Sequence, residues 1–213
     1  QTLAHELGHA YHGWLMRDLG HFARHVPMGL AESASTLSEL LVESAALRRA
    51  DRGERLRLLD ERLQRAVAFM LNIPARFRLE RRMHEQRRNG ALDEENLTEM
   101  TEEIFSETYG DGVASVDPTF WASKLHFFIT RLPFYNFPYT FGYLFSRAVY
   151  RRAEQAGSDY AEVVDDLLRD TGGLDAADIA ERYLDADLSD VDFWKRASAH
   201  TREDVGEYFA IVE

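Results

Sequence analysis

His5-Glu6-Leu7-Gly8-His9 stands near the start of the chain and decides how the rest is read. The stretch spells HExxH. On an α-helix, residues four apart stack on one face, so His5 and His9 can aim two imidazoles at one point. Two neutral imidazoles at that spacing suit Zn²⁺, and the adjacent Glu6 can reach a water held by the metal. The motif therefore predicts a helix running from Thr2 to Leu19 and a metal centre whose third ligand comes from further along the chain.

Working outward from the motif, the pattern stays helical nearly throughout. Gly20 and Pro27 mark a loop. Leu37, Leu40, Leu41 and Ala45 recur at helical spacing within a predicted helix from Leu30 to Arg49. A long Leu/Arg/Glu-rich helix is predicted from Glu54 to Arg88, kinked before Pro74 and stopped by Asn89-Gly90. Asp93 is placed to cap the next helix, which turns Leu97, Met100, Ile104 and Phe105 inward. Gly110-Asp111-Gly112 and Asp117-Pro118 frame a loop. Helices follow at Thr119 to Ile129, Tyr139 to Ala156, Ser158 to Arg169 (with Ser158 as cap), Asp175 to Tyr183, Asp190 to Ala199 and Thr201 to Ile211. A turn at Pro133 to Pro138 interrupts them. Period-two alternation is nearly absent. The expected fold class is all-α, a multi-helix zincin-type catalytic domain spanning residues 1–213.

Composition narrows the function classes. The chain has 213 residues, 45% of them hydrophobic, enough to build a sizeable core. Its formal net charge is −12, with the acidic residues spread along the chain. A nucleic-acid partner is not expected, because phosphate binding needs concentrated Lys and Arg. There is no cysteine, so disulfides and thiolate chemistry are excluded, and any metal must be held by His and carboxylate. A cytoplasmic location fits that composition. No stretch reaches the roughly 18 uninterrupted apolar residues of a membrane span. The aromatic tract Leu125 to Phe145 comes nearest, but Arg131, Pro133, Asn136 and Pro138 interrupt it. Only four residues precede His5, too few to support a helix bearing a catalytic ligand. The expectation is a C-terminal catalytic portion of a longer protein.

A catalytic zinc site usually has three protein ligands and an open position for water. The HExxHxxGxxH arrangement does not fit, because His12 occupies its glycine slot and Leu15 its last His slot. A glutamate from the next helix is the other arrangement. Glu32 lies in Leu30-Ala31-Glu32-Ser33-Ala34-Ser35-Thr36, among small residues that let two helices approach closely. Seven residues on, about two turns, Glu39 shares its face and can accept a hydrogen bond from a ligand imidazole. Glu43 continues that face and is expected to be solvated. His12, His21 and His25 read as structural or surface residues. The rival readings are a chance HExxH on a charged helix, and a buried salt bridge or helix-end charge for Glu32.

HELGH, then LAESAST, then the aromatic PFYNFPYTFGYLFS resembles the oligoendopeptidase F branch of the thimet-like zinc peptidases, in that order along the whole chain. The resemblance implies a mostly helical fold and one Zn²⁺ bound by His5, His9 and Glu32. It also implies Glu6 as general base and internal cleavage of short peptides. Family members are much longer, with a large N-terminal helical part that walls a deep channel. Their aromatic segment carries closely spaced tyrosines, where this chain has Tyr135, Phe137 and Tyr139, with Tyr143 later. A donor must face the oxyanion that forms during hydrolysis. Tyr139 and Tyr135 rank first for it, then His126 and Tyr143, while a packed aromatic core is the rival reading of the tract. A second function class stays open: a helical binding or scaffold domain with a structural or vestigial metal site. Oligomeric state is not readable from the sequence.

Overall fold

The structure, a computed structural model, describes residues 2–157 and 160–213. Eleven α-helices account for most of the described residues, and no strand occurs among them. The predicted all-α fold is therefore observed. The chain divides into two compact units. One comprises the chain up to Gln64 together with Phe141–Glu213; the other is Arg65–Thr140.

In the first unit, α1 (Thr2–Leu15) ends four residues before the predicted Leu19. The Arg17 guanidinium lies 4.0 Å over the Trp14 ring and donates to the Trp14 carbonyl at 2.8 Å, capping the last turn from its own side chain. Helix α2 (Ser33–Leu47) begins later than the predicted Leu30. Tight turns after Pro27, with Leu30 N–H donating to the Pro27 carbonyl at 2.9 Å and Ser33 N–H to the Leu30 carbonyl at 3.0 Å, leave Glu32 as the residue before the helix. His12 is buried and its Nε2 lies 2.9 Å from the Leu168 carbonyl and 2.8 Å from Thr171 Oγ1. That ties α1 to α8 (Tyr160–Asp170), and burial pushes the His12 pKa down. The structural reading of His12 matches this position. Leu30, Leu37, Leu40, Phe145, Leu167 and Ile179 form the centre of this unit's core.

The remaining helices of the first unit include the Phe141–Ala156 part of α7 (Phe137–Ala156), then α9 (Ala176–Leu184), α10 (Val191–Ala197) and α11 (Ala199–Val212). Asp175 and Asp190 cap α9 and α10 through backbone N–H groups, as their predicted starts require. The Ser158 cap expected for α8 lies outside the described residues.

The long helix predicted from Glu54 to Arg88 is observed in three pieces: α3 (Arg52–Val67), a widened π-turn at Ala68–Asn72, and α4 (Ile73–Arg87). Pro74 lacks an N–H and its ring crowds the preceding turn, and the widened turn absorbs that mismatch. In the second unit, α4 packs on α5 (Glu94–Tyr109), which starts with an Asp93/Asn96 capping box. Leu97, Met100, Ile104 and Phe105 are buried there with Ala75 and Leu79. The helix predicted for Thr119 to Ile129 is split at Lys124, whose backbone is extended, into α6 (Phe120–Ser123) and a 3₁₀ turn at Leu125–Phe128.

Candidate metal centre

In the first unit, α1 presents His5 and His9 with ring centroids 4.8 Å apart and planes nearly perpendicular, at 84°. Glu32 reaches them from the residue before α2. Its Oε2 lies 3.4 Å from His5 Nε2 and 3.5 Å from His9 Nε2. One candidate ligand atom from each residue lies within 4.8 Å of the others. Tetrahedral ligands bonded to zinc at about 2.0–2.1 Å stand about 3.3 Å apart. The two Glu32–His separations match that spacing.

Hydrogen bonding around the group supports the same fit. His5 Nδ1 lies 2.6 Å from Glu39 Oε1. A carboxylate can only accept there, so Nδ1 carries the proton and donates, and the Nε2 lone pair is directed at Glu32. Nε2 of the neutral ring and Glu32 Oε2, 3.4 Å apart, would offer two lone pairs to one cation. Glu32, 9% exposed, is held from behind, where Ser35 Oγ donates to its Oε2 at 2.9 Å. Thr36 Oγ1 donates to the Glu32 carbonyl at 2.5 Å and also lies 3.1 Å from the Gly142 carbonyl. His5 and His9 keep 28% and 38% of their side chains exposed, so the group opens to solvent on one side. Glu6, next to His5, is exposed.

Two glycines make this approach feasible. A Cβ on Gly8 would stand 2.6 Å from both the Ala34 carbonyl oxygen and Ser35 Cα; one on Gly142 would stand 2.9 Å from Glu32 Cβ. Sequence reasoning noted the small residues of α2 but missed Gly8, although it lies inside the motif. Gly8→Ala overpacks a backbone-to-backbone contact, at about 1–3 kcal/mol, and should weaken zinc binding about 5- to 150-fold if that strain is relieved by parting α1 from α2. Isothermal titration with zinc, beside chemical unfolding, measures both; an unchanged affinity would show that the close approach is dispensable.

Glu43, expected to be solvated, is buried instead and ion-paired with Arg62 Nε at 3.2 Å. Packing explains the correction: α2 is covered on that side by α3 and α11, so the face that begins at Glu32 turns into the interior.

The aromatic candidates fall into two settings. In the second unit, His126 and Tyr135 stack with centroids 6.2 Å apart and planes at 2°. Tyr139 meets both edge-on, 6.3 Å from His126 and 5.7 Å from Tyr135. All three are partly exposed. In the first unit, Tyr143 is buried beneath the Arg147 guanidinium, which lies 4.4 Å from its ring centroid.

Against known proteins, the profile of peptidase family M3 matches residues 1–199. The fold is similar to that of oligoendopeptidase-F from Enterococcus faecium, with a TM-score of 0.79, 20% identity, and coverage of 100% of this chain and 39% of that one. It is also similar to a candidate peptidase from Chlamydophila abortus, with a TM-score of 0.83, 22% identity, and coverage of 98% of this chain and 35% of that one. The chain thus spans well under half the length of these structural relatives. No curated protein matches it.

Proposed function

The chain belongs to peptidase family M3, and from that premise we propose that it forms the catalytic portion of an oligoendopeptidase F-like zinc peptidase acting on short peptides. The observation that carries the reading is the convergence of His5 Nε2 and His9 Nε2 on one Glu32 oxygen, at 3.4 and 3.5 Å. The one-sided exposure of His5 and His9 favours an enzyme over a structural metal site, since a structural site is closed by a fourth protein ligand.

When bound, zinc would supply a Lewis acid that acidifies a water and polarises the scissile carbonyl. His5, His9 and Glu32 would hold the ion. Glu6 takes the proton of the attacking water at its carboxylate and passes it to the departing amine nitrogen. The donor to the developing oxyanion we assign to the Tyr135, Tyr139 and His126 cluster, with buried Tyr143 last. That assignment rests on the sequence pattern and on the three rings gathering in one place. The cysteine-free chain supports a cytoplasmic setting. Among the described residues no helix is long and apolar enough to cross a membrane.

The test is hydrolysis of internally quenched short peptides by the full-length protein. Internal cleavage is expected, lost with a zinc chelator and restored by zinc; turnover indifferent to the chelator would refute the reading. Glu39 has its own expected outcome. Glu39→Ala removes the acceptor that fixes the His5 tautomer and should lower zinc affinity about 10- to 100-fold. Competition with a fluorescent zinc chelator measures this, and an unchanged affinity would reduce Glu39 to a bystander.

A further inference from the structure

Glu80 is among the most deeply buried charged side chains, 1% exposed, yet it sits on α4 in a segment whose composition suggests a solvated helix. Both of its oxygens are engaged by one short piece of chain. Oε1 accepts the Phe134 backbone N–H at 2.6 Å and Oε2 accepts Asn136 Nδ2 at 2.9 Å. Asn136 is itself fully buried, and its N–H donates to the Phe134 carbonyl at 2.7 Å. Those bonds close a three-residue turn with Tyr135 at its centre. The turn is strained: Phe134 has φ +62°, a left-handed conformation that bulky L-residues rarely adopt.

The same face of α4 grips the turn from both sides of Glu80. Phe77 lies 5.7 Å and His84 5.0 Å from the Phe134 ring, centroid to centroid. Tyr139 N–H donates to the Asn136 carbonyl at 3.3 Å, joining the turn to the start of α7. Tyr135 meets His126 and Tyr139 ring to ring. Its ring departs from the centre of a turn that Glu80 holds at both flanking residues. Holding a loop to a helix needs no buried carboxylate, since apolar contacts do it without desolvating a charge. Strain of this kind persists where the surroundings over-determine it, commonly at functional sites.

We propose that Glu80 is a positioning residue for Tyr135: its carboxylate clamps the Phe134–Asn136 turn and so fixes where the Tyr135 hydroxyl points during peptide hydrolysis. This rests on the assignment of Tyr135 to the oxyanion. Glu80 touches no reacting atom.

The experiment is a double-mutant cycle in the zinc-loaded full-length protein, with kcat and KM read on one internally quenched peptide. Tyr135→Phe should lower kcat about 100-fold. Glu80→Ala should lower it by a similar factor, because a reacting group displaced by about 1 Å loses that much. KM and zinc content should be unchanged. Glu80→Gln should recover most of the rate: its amide oxygen accepts the Phe134 N–H, and Asn136 can turn its own amide to accept from the new NH₂. The double variant Tyr135→Phe/Glu80→Ala should be no slower than Tyr135→Phe alone. Full kcat in Glu80→Ala beside a deficient Tyr135→Phe overturns the role of Glu80, as does multiplication of the two deficits in the double variant. A Tyr135→Phe protein with full kcat removes the Tyr135 assignment, and the Glu80 proposal with it. If Glu80→Ala loses its helical circular dichroism, Asn136→Ala, which releases one side of the clamp, takes its place in the same cycle.

Discussion

Replacing Glu6 by Gln is expected to lower peptide turnover by about 100- to 10,000-fold while the protein still takes up zinc. The substitution keeps the side chain's length and shape, and Glu and Gln have similar helix propensities, so α1 should form as before. None of the three converging atoms belongs to Glu6: they are His5 Nε2, His9 Nε2 and Glu32 Oε2. What disappears is a carboxylate able to take a proton from water and return it to the amine. Glu6 is exposed and directly follows the partly exposed His5 on α1. The loss should appear in kcat with little change in KM, since proton transfer belongs to the transition state and not to substrate binding. Steady-state kinetics on a quenched peptide together with metal analysis check both halves. Undiminished turnover would remove Glu6 as the base, whereas loss of zinc along with activity would mean that Glu6 supports the site in some other way.

How far the sequence reached depended on whether the relevant spacing was local. His5 and His9 are one helical turn apart, so their shared face is a property of the helix and could be read directly. Glu39 lies on a second helix and Glu32 directly before its first residue, and they were legible because seven residues return to the same face. Glu43 shows where that reasoning fails. It continues the same periodicity, but whether a helix face meets solvent or other helices is set by elements distant in sequence, here α3 and α11. Gly8 was invisible for a related reason. Its role is the space it leaves for the Ala34 carbonyl, and a glycine inside a motif does not show what approaches it. Glu80 sits among Leu79, Arg81 and Arg82, in a pattern that reads as a solvated face. Its partners lie 54 and 56 residues away. Helix ends were read less well than helix existence. At Leu15 α1 ends, and Arg17 folds back over Trp14 and donates to its carbonyl, a side-chain event that periodicity cannot register.

The buried charge that sequence reasoning missed leads to the largest expected stability effect. Arg62 reaches Glu43 through Nε at 3.2 Å, Asp204 through Nη1 at 3.0 Å and Ser44 Oγ through Nη2 at 3.2 Å. One guanidinium thus joins α2, α3 and α11. Arg147 Nη1 stands 4.0 Å from Asp204 Oδ2, too long for a full replacement. Arg62→Met keeps the apolar stem but removes the guanidinium that pairs with buried Glu43 and Asp204. Removing one partner of such a pair costs about 3–5 kcal/mol, far more than an exposed pair would. The deficit should depend on pH in a stated direction. Burial already raises the Asp204 pKa against the opposing pull of Arg62 and Arg147. A group whose folded pKa is raised contributes stability that is present at low pH and lost as pH rises through that pKa. Taking Arg62 away removes one of the two pulls downward, so the Asp204 pKa rises further. The variant should therefore approach the parent as pH falls through the raised Asp204 pKa, since a protonated Asp204 needs no cation, and fall further behind as pH rises above it. Urea unfolding followed by circular dichroism across that range measures it. A deficit of the same size at every pH would mean that Arg62 stabilises by packing and hydrogen bonding alone. Since α2 also carries Glu39 and follows directly on Glu32, the same variant should bind zinc more weakly above the raised Asp204 pKa than below it, once the ordinary protonation of the His ligands is corrected for with the parent protein.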